Sequence, residues 1–91
     1  MNSPVDYSRA ARGDTIAVVT PDDSTTYATT PLVGVVVGTP GDLVVTNRDG
    51  VDCTIPENCL VAGVVLPLPR CIAIKATGTT ADEIVGYFSD R

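Results

Sequence analysis

Histidine, tryptophan and glutamine are absent from this chain of 91 residues, which also has only two glutamates and one lysine. Without histidine the chain lacks the commonest general base of enzymes and the commonest transition-metal ligand. The shortage of Glu, Lys and Gln removes the residues that usually cover the surface of helices. These absences argue against an enzyme, against a transition-metal site and against a helical fold.

Positive charge and aromatic side chains are also scarce. Six Lys and Arg residues stand against eleven Asp and Glu residues, which gives a net charge of −5, and only four residues are aromatic. Nucleic-acid-binding proteins usually present a basic patch and aromatic rings that stack on bases. No stretch reaches the roughly 18 consecutive apolar residues that suggest a membrane span. We therefore expect neither nucleic acid nor a membrane as a partner.

Cysteine occurs three times, at Cys53, Cys59 and Cys71, with no CxxC spacing. These cysteines are too few and wrongly spaced for a four-ligand zinc site, and three cannot all pair within one chain. The N-terminal stretch also lacks the apolar core of a signal peptide, so we expect folding in the cytoplasm and unpaired thiols. Because Cys53 lies on the apolar face of a predicted strand, we expect buried thiols. We predict no metal and no cofactor.

β-branched residues dominate what is present, since Val, Ile and Thr account for 14, 5 and 12 residues. This composition favours an all-β fold. Three apolar runs lie between residues 32 and 55, separated by turn signals at 39–42 and 47–50. The first run places Val33, Val35 and Val37 on one face by simple alternation. We predict a three-stranded meander over this stretch.

Further strand patterns occur at residues 14–20, 71–77 and 83–88, and a run with two prolines at 64–69 is typical of an edge strand or a bulged one. About seven short strands separated by turn signals are the pattern of a β-sandwich or a barrel, and we favour a single small antiparallel β-sandwich, jelly-roll-like, over residues 14–91. Residues 1–13 show no periodicity and are predicted to form an N-terminal arm.

Two of the runs, 32–37 and 64–68, are apolar on both faces and contain no charged residue. A two-layer sandwich buries only one face of each strand, so the other face needs a cover, either a second subunit or the N-terminal arm. We favour a subunit contact and predict a homo-oligomer. The candidate interface residues are Leu32, Val33, Val35, Val36, Val37, Val64, Val65, Leu66 and Leu68.

Four segments in order carry a resemblance to a known family. They are AVVTPDDST at 17–25, VVVGTPGDLVVTNRDG at 35–50, VLPLPR at 65–70 and IKATGTTADEIVGYF at 74–88. Together they resemble the small head spike base or capsid decoration proteins of tailed bacteriophages and gene transfer agents. The resemblance covers about residues 15 to 88 and rests on turn signatures, so it brings no catalytic residues.

The resemblance implies a structural virion protein on the outside of a capsid, as a head spike base or a cement protein, made in the cytoplasm of a bacterial host. The implied partners are copies of the chain itself in a trimer or pentamer, the major capsid protein, and a spike or fibre protein. The arm, with Tyr7, Arg9 and Arg12, is the candidate capsid attachment. The alternative is a non-catalytic carbohydrate- or receptor-binding module, which would usually present aromatic platforms.

Overall fold

The structure, a computed structural model, describes residues 15–89 and is built of seven strands. They are β1 (Thr15–Val19), β2 (Leu32–Thr39), β3 (Leu43–Thr46), β4 (Asp52–Ile55), β5 (Leu66–Cys71), β6 (Ala73–Ile74) and β7 (Asp82–Phe88). A single 3-10 turn, Glu57–Cys59, lies between β4 and β5. The predicted all-β sandwich of about seven strands is confirmed.

The strands form two antiparallel sheets. The four-stranded sheet has the order β1-β7-β2-β5, and the three-stranded sheet has the order β4-β3-β6. Strand β2 therefore pairs with β5 and β7 and not with β3, so the predicted meander over 32–55 is wrong. The turn at 39–42 carries the chain from one sheet to the other. Only the turn at 47–50 makes a hairpin, with Gly50 at φ +86 and its N–H donating to the Asn47 carbonyl at 2.8 Å.

The hydrophobic core lies between the two sheets and is filled mainly by branched aliphatic side chains. Its members are Val19, Leu32, Val35, Val37, Leu43, Val45, Leu60, Leu68, Cys71, Ile74, Ala81, Ile84 and Phe88. Each side chain is at most 8% exposed. Burial of this kind contributes roughly 1.5–3 kcal/mol for each large aliphatic side chain, as an upper estimate.

A register shift in β2 changes which residues enter the core. The register shifts between Leu32 and Gly34 against both neighbouring strands. Against β7 it leaves Val33 as an extra residue on β2, whereas against β5 the extra residues lie on β5, between Pro67 and Cys71. A bulge of this kind interrupts the alternation of side chains. As a result Leu32, Val35 and Val37 share the core face, whereas simple alternation placed Val33 with Val35 and Val37.

The predicted strand at 71–77 is also interrupted. Strand β5 belongs to the four-stranded sheet and ends at Cys71, whereas β6 belongs to the three-stranded sheet and begins at Ala73. Between them the N–H of Ile72 donates to the Thr46 carbonyl at 2.8 Å. The chain thus passes from one sheet to the other at Ile72, and both Ala73 and Ile74 are buried.

One turn, residues 76–81, is bonded to loops from both sheets. The Asp23 carboxylate accepts the N–H groups of Ala76 and Thr77 at 2.9 and 3.0 Å and the Thr77 hydroxyl at 2.6 Å. The Asp42 carbonyl accepts the N–H groups of Thr80 and Ala81 at 2.8 and 3.1 Å. The turn therefore fixes both the β1–β2 loop and the crossing between β2 and β3.

We predict that Asp23→Asn lowers the stability of the domain and makes that stability less sensitive to acidic pH. Hydrogen bonds from the Thr77 hydroxyl, and then from the Thr77 N–H, hold the pKa of Asp23 below its usual value. A carboxyl whose pKa is lowered on folding stabilises the protein above its unfolded pKa, and this contribution is lost as the pH falls through the folded pKa. Thermal unfolding midpoints, measured from about pH 7 to about pH 2, should fall less steeply in Asp23→Asn than in the wild type.

The matched variant is Thr77→Val, which removes the hydroxyl donor and leaves both N–H donors in place. It should show an intermediate pH dependence. Parallel curves for the wild type and Asp23→Asn would contradict the role assigned to this carboxylate.

We predict that Gly86→Ala destabilises the core, whereas Gly34→Ala costs much less. A Cβ on Gly86 would lie 2.7 Å from the Leu32 Cδ2 atom and 2.9 Å from a Val19 methyl group. Overpacking of this kind typically costs about 1–3 kcal/mol. At Gly34 the nearest contact is 3.3 Å, to a methyl of Val65 on the outer face. Urea unfolding of both variants measures the difference, and equal losses would refute this packing argument.

Candidate interaction surface

The described residues, 15–89, contain no group of three or more His, Cys, Asp or Glu side chains that could hold a metal ion. Over the same part of the chain, no helix is long and apolar enough to cross a membrane. The features that do stand out are apolar and exposed. The candidate site is therefore a surface for binding another macromolecule.

The structure divides the predicted interface residues into three groups. Leu32, Val35, Val37 and Leu68 pack inside the subunit core, and Val33 is buried at the bulge. Val36 and Leu66 are half-buried, and Leu66 packs against the core. Val64 and Val65 are exposed. The predicted arm residues Tyr7, Arg9 and Arg12 lie outside the described residues. The interface itself stays a prediction, and only its outward-facing members can contact another subunit.

The outer face of the four-stranded sheet is apolar across three strands. In antiparallel pairing, residues opposite each other point to the same face. Ile16 of β1 lies opposite Tyr87 of β7, and Val18 lies opposite Val85, which in turn lies opposite Val36 of β2. On the far side, the Val65 methyl group lies over Gly34.

We call these six residues the apolar face: Ile16, Val18, Val36, Val65, Val85 and Tyr87. None is charged, and Val18 and Ile16 are 79% and 58% exposed. A carboxylate lies beyond one end of the face, where Glu83 accepts the Thr39 hydroxyl at 2.9 Å. Continuous exposed apolar surface of this kind marks interaction sites on soluble proteins.

Four residues of the apolar face, Ile16, Val18, Val85 and Tyr87, were not among the predicted interface residues. For Val85 and Tyr87 a signal is present in the sequence, because the β7 segment EIVGYF is apolar at both odd and even positions. The inward set is Ile84, Gly86 and Phe88, so the other two apolar residues must point outwards.

A second exposed apolar feature is the turn at residues 61–65, which we call the valine turn. Val61, Val64 and Val65 are 61%, 56% and 39% exposed. The turn is held by a hydrogen bond from the Gly63 N–H to the Val37 carbonyl at 3.0 Å, and Gly63 has φ +79. Leu60, just before it, is buried in the core. The valine turn is therefore fixed to the domain although its side chains face outwards.

A cavity of about 240 Å³ opens at the other end of the sandwich, where β1 begins and β7 ends. It is lined by Thr15, Tyr27, Thr30 and Phe88. The rings of Tyr27 and Phe88 form one wall and meet edge to face with centroids 4.9 Å apart, a favourable arrangement for an aromatic pair. We call this the end cavity. Its lining is mostly apolar, so it suits an apolar side chain.

The expectation that all three thiols are buried is wrong for two of them. All three cysteines are free; Cys71 is buried, whereas Cys53 and Cys59 are exposed. Cys53 lies on β4, an edge strand on which Asp52, Cys53 and Thr54 are exposed and only Ile55 packs against the core. The regular alternation of β4 therefore predicted a buried face that is covered only at Ile55.

We predict that an alkylating reagent modifies Cys53 and Cys59 in the native protein and reaches Cys71 only after unfolding. Burial raises the pKa of the Cys71 thiol, which further disfavours the reactive thiolate. Mass spectrometry after a timed reaction without reductant measures the three sites separately. The control is the protein in guanidinium, where all three should react. Equal native rates, or a pair protected even after unfolding, would contradict the prediction.

The chain is similar in sequence and structure to one solved chain. That chain belongs to the structure described as "Capsid of native GTA particle computed with C5 symmetry", where GTA denotes a gene transfer agent. The two are 31% identical with a TM-score of 0.68, and the match covers 96% of this chain and 99% of the other. No protein-family model and no curated protein matches the sequence.

Proposed function

The chain belongs to a family of structural proteins of the gene transfer agent capsid, and from that premise we propose that it sits on the outside of such a capsid as a spike base or decoration protein. The observation that carries this proposal is the apolar face, which leaves six uncharged side chains in need of a cover. Exposed apolar surface of this kind is unfavourable in water unless a partner covers it. In our proposal the face is buried when copies assemble on the particle.

We further propose that the copies form a closed homo-oligomer, a trimer or a pentamer. The solved capsid was computed with five-fold symmetry, so its chains recur in sets of five. A pentamer is compatible with this symmetry, and a pentameric base would suit a five-fold vertex that carries a spike or fibre. The interface would draw on the outward-facing predicted residues, Val36, Val64 and Val65.

Residues 1–13 are proposed to anchor this assembly to the major capsid protein, leaving residues 14–91 as the folded domain. The segment carries Arg9 and Arg12 in a chain whose net charge is −5. An extended segment can add to the edge of a neighbouring sheet and gain main-chain hydrogen bonds.

The alternative of a sugar-binding module has less support. Sugar-binding surfaces usually offer flat, exposed aromatic rings, and the apolar face has only one ring, the half-buried Tyr87. Membership of a capsid family also supports a structural role over catalysis.

We predict that the wild-type protein co-purifies with particles in a fixed ratio to the major capsid protein, whereas a variant lacking residues 2–12 does not. The truncated domain should stay folded and oligomeric, because the core and the apolar face lie within residues 15–89. Quantitative mass spectrometry of purified particles gives the copy number. Circular dichroism and sedimentation of the free variant provide the controls for folding and assembly.

Two results would count against the proposal in different ways. Absence of the wild-type protein from particles would refute the capsid role. Normal occupancy by the truncated protein would refute only the anchoring role of the arm and would move the attachment to the sandwich surface.

A further inference from the structure

We propose that copies of this chain join head to tail, with the valine turn of one copy inserted into the end cavity of the next. This inference rests on the proposed function, because it names the contact through which the copies of the oligomer would join. It commits to a second copy of the chain as the occupant of the end cavity.

The valine turn has the properties of an inserted element. Three valines at 61%, 56% and 39% exposure would lose most contact with water on insertion, which is favourable for apolar surface. Two hydrogen bonds hold the turn, from the Gly63 N–H to Val37 and from the Val64 N–H to Val61 at 3.1 Å. A turn that is already ordered loses little conformational entropy on binding.

The end cavity has the matching properties. Its volume of about 240 Å³ would take several waters at about 30 Å³ each. Among residues 15–89, however, two of the four that line it are aromatic, and they offer few polar partners. Aliphatic side chains that displace such water bind favourably. Thr30 is exposed at the rim, and the Tyr27–Phe88 pair forms one wall.

The two elements cannot meet within one copy. The valine turn is bonded to Val37 near the end of β2, and the cavity lies beside Leu32 and Phe88 at its start. Five residues of strand separate the two points by roughly 16 Å. They also lie at opposite edges of the sheet, the turn next to β5 and the cavity next to β1.

Two different surfaces on one chain make a heterologous contact. Repetition of such a contact closes into a ring when the rotation allows it, whereas a self-complementary contact gives a two-fold dimer. The valine turn and the end cavity therefore account for a ring of three or five copies, for which a self-complementary patch alone would be insufficient. The apolar face adjoins both elements, through Val65 at the turn and Ile16 beside Thr15 at the cavity.

A mixing experiment tests this pairing. Val64→Asp places a charge on the turn and leaves the cavity intact, whereas Thr30→Trp fills the cavity mouth and leaves the turn intact. Each variant alone should show only monomer by native mass spectrometry. A one-to-one mixture should form a heterodimer and nothing larger, because each pair retains one working contact. Val51→Asp, an equally exposed valine outside the turn, is the control and should assemble like the wild type.

Four outcomes would overturn the inference. They are a monomeric wild type, normal assembly of either single variant, a mixture without heterodimer, and loss of assembly on deletion of residues 2–12, which would make the arm the occupant. Both substituted residues are exposed, and circular dichroism checks that each variant folds. If one does not, Val61→Asp and Thr30→Met provide the same test. A wild type present on particles with no heterodimer in the mixture refutes this pairing alone and leaves the capsid role standing.

Discussion

The turn at residues 76–81 links the two sheets, because a loop from each sheet is hydrogen-bonded to it. Asp23 reaches it from the four-stranded sheet, and Asp42 reaches it where the chain crosses to the three-stranded sheet. The crossing also depends on Gly41, where a Cβ would lie 2.5 Å from the Ala81 nitrogen. Three of the segments that carry the family resemblance therefore meet at one place. Their chemistry serves hydrogen bonding and close backbone approach, which explains why the motifs brought no catalytic groups.

Composition and turn chemistry were enough to predict an all-β sandwich or barrel, the approximate strand count, and an edge or bulged strand at the run with Pro67 and Pro69. The pairing of strands was not predictable in the same way. The turn at 39–42 has residues that suit a hairpin, and the same residues suit a crossing between sheets, so only packing against Thr80 and Ala81 decides between them. For a related reason, the sequence did not show which residues of β2 face the core. When both faces of a strand are apolar, alternation cannot reveal a bulge such as the one at Val33.

The candidate surface was predicted in part. Two-sided apolar runs correctly indicated strands with apolar residues on both faces. Four of the predicted interface residues, however, are buried within the subunit core: Leu32, Val35, Val37 and Leu68. Long-range pairing brought Ile16, Val18, Val85 and Tyr87 onto one face, and no local pattern in β1 or β7 specifies that pairing. The end cavity was invisible for the same reason, since its residues come from three separate parts of the chain.

Strand β5 has a consequence for how densely such units can be displayed. Its two prolines lack the N–H groups that an incoming strand would need, so this edge of the sheet is a poor template for sheet growth. A particle that holds many copies at fixed spacing creates the crowding in which strand edges fuse into fibrils. In the proposed coat, β5 would therefore meet a neighbouring copy through its side chains and not by strand pairing.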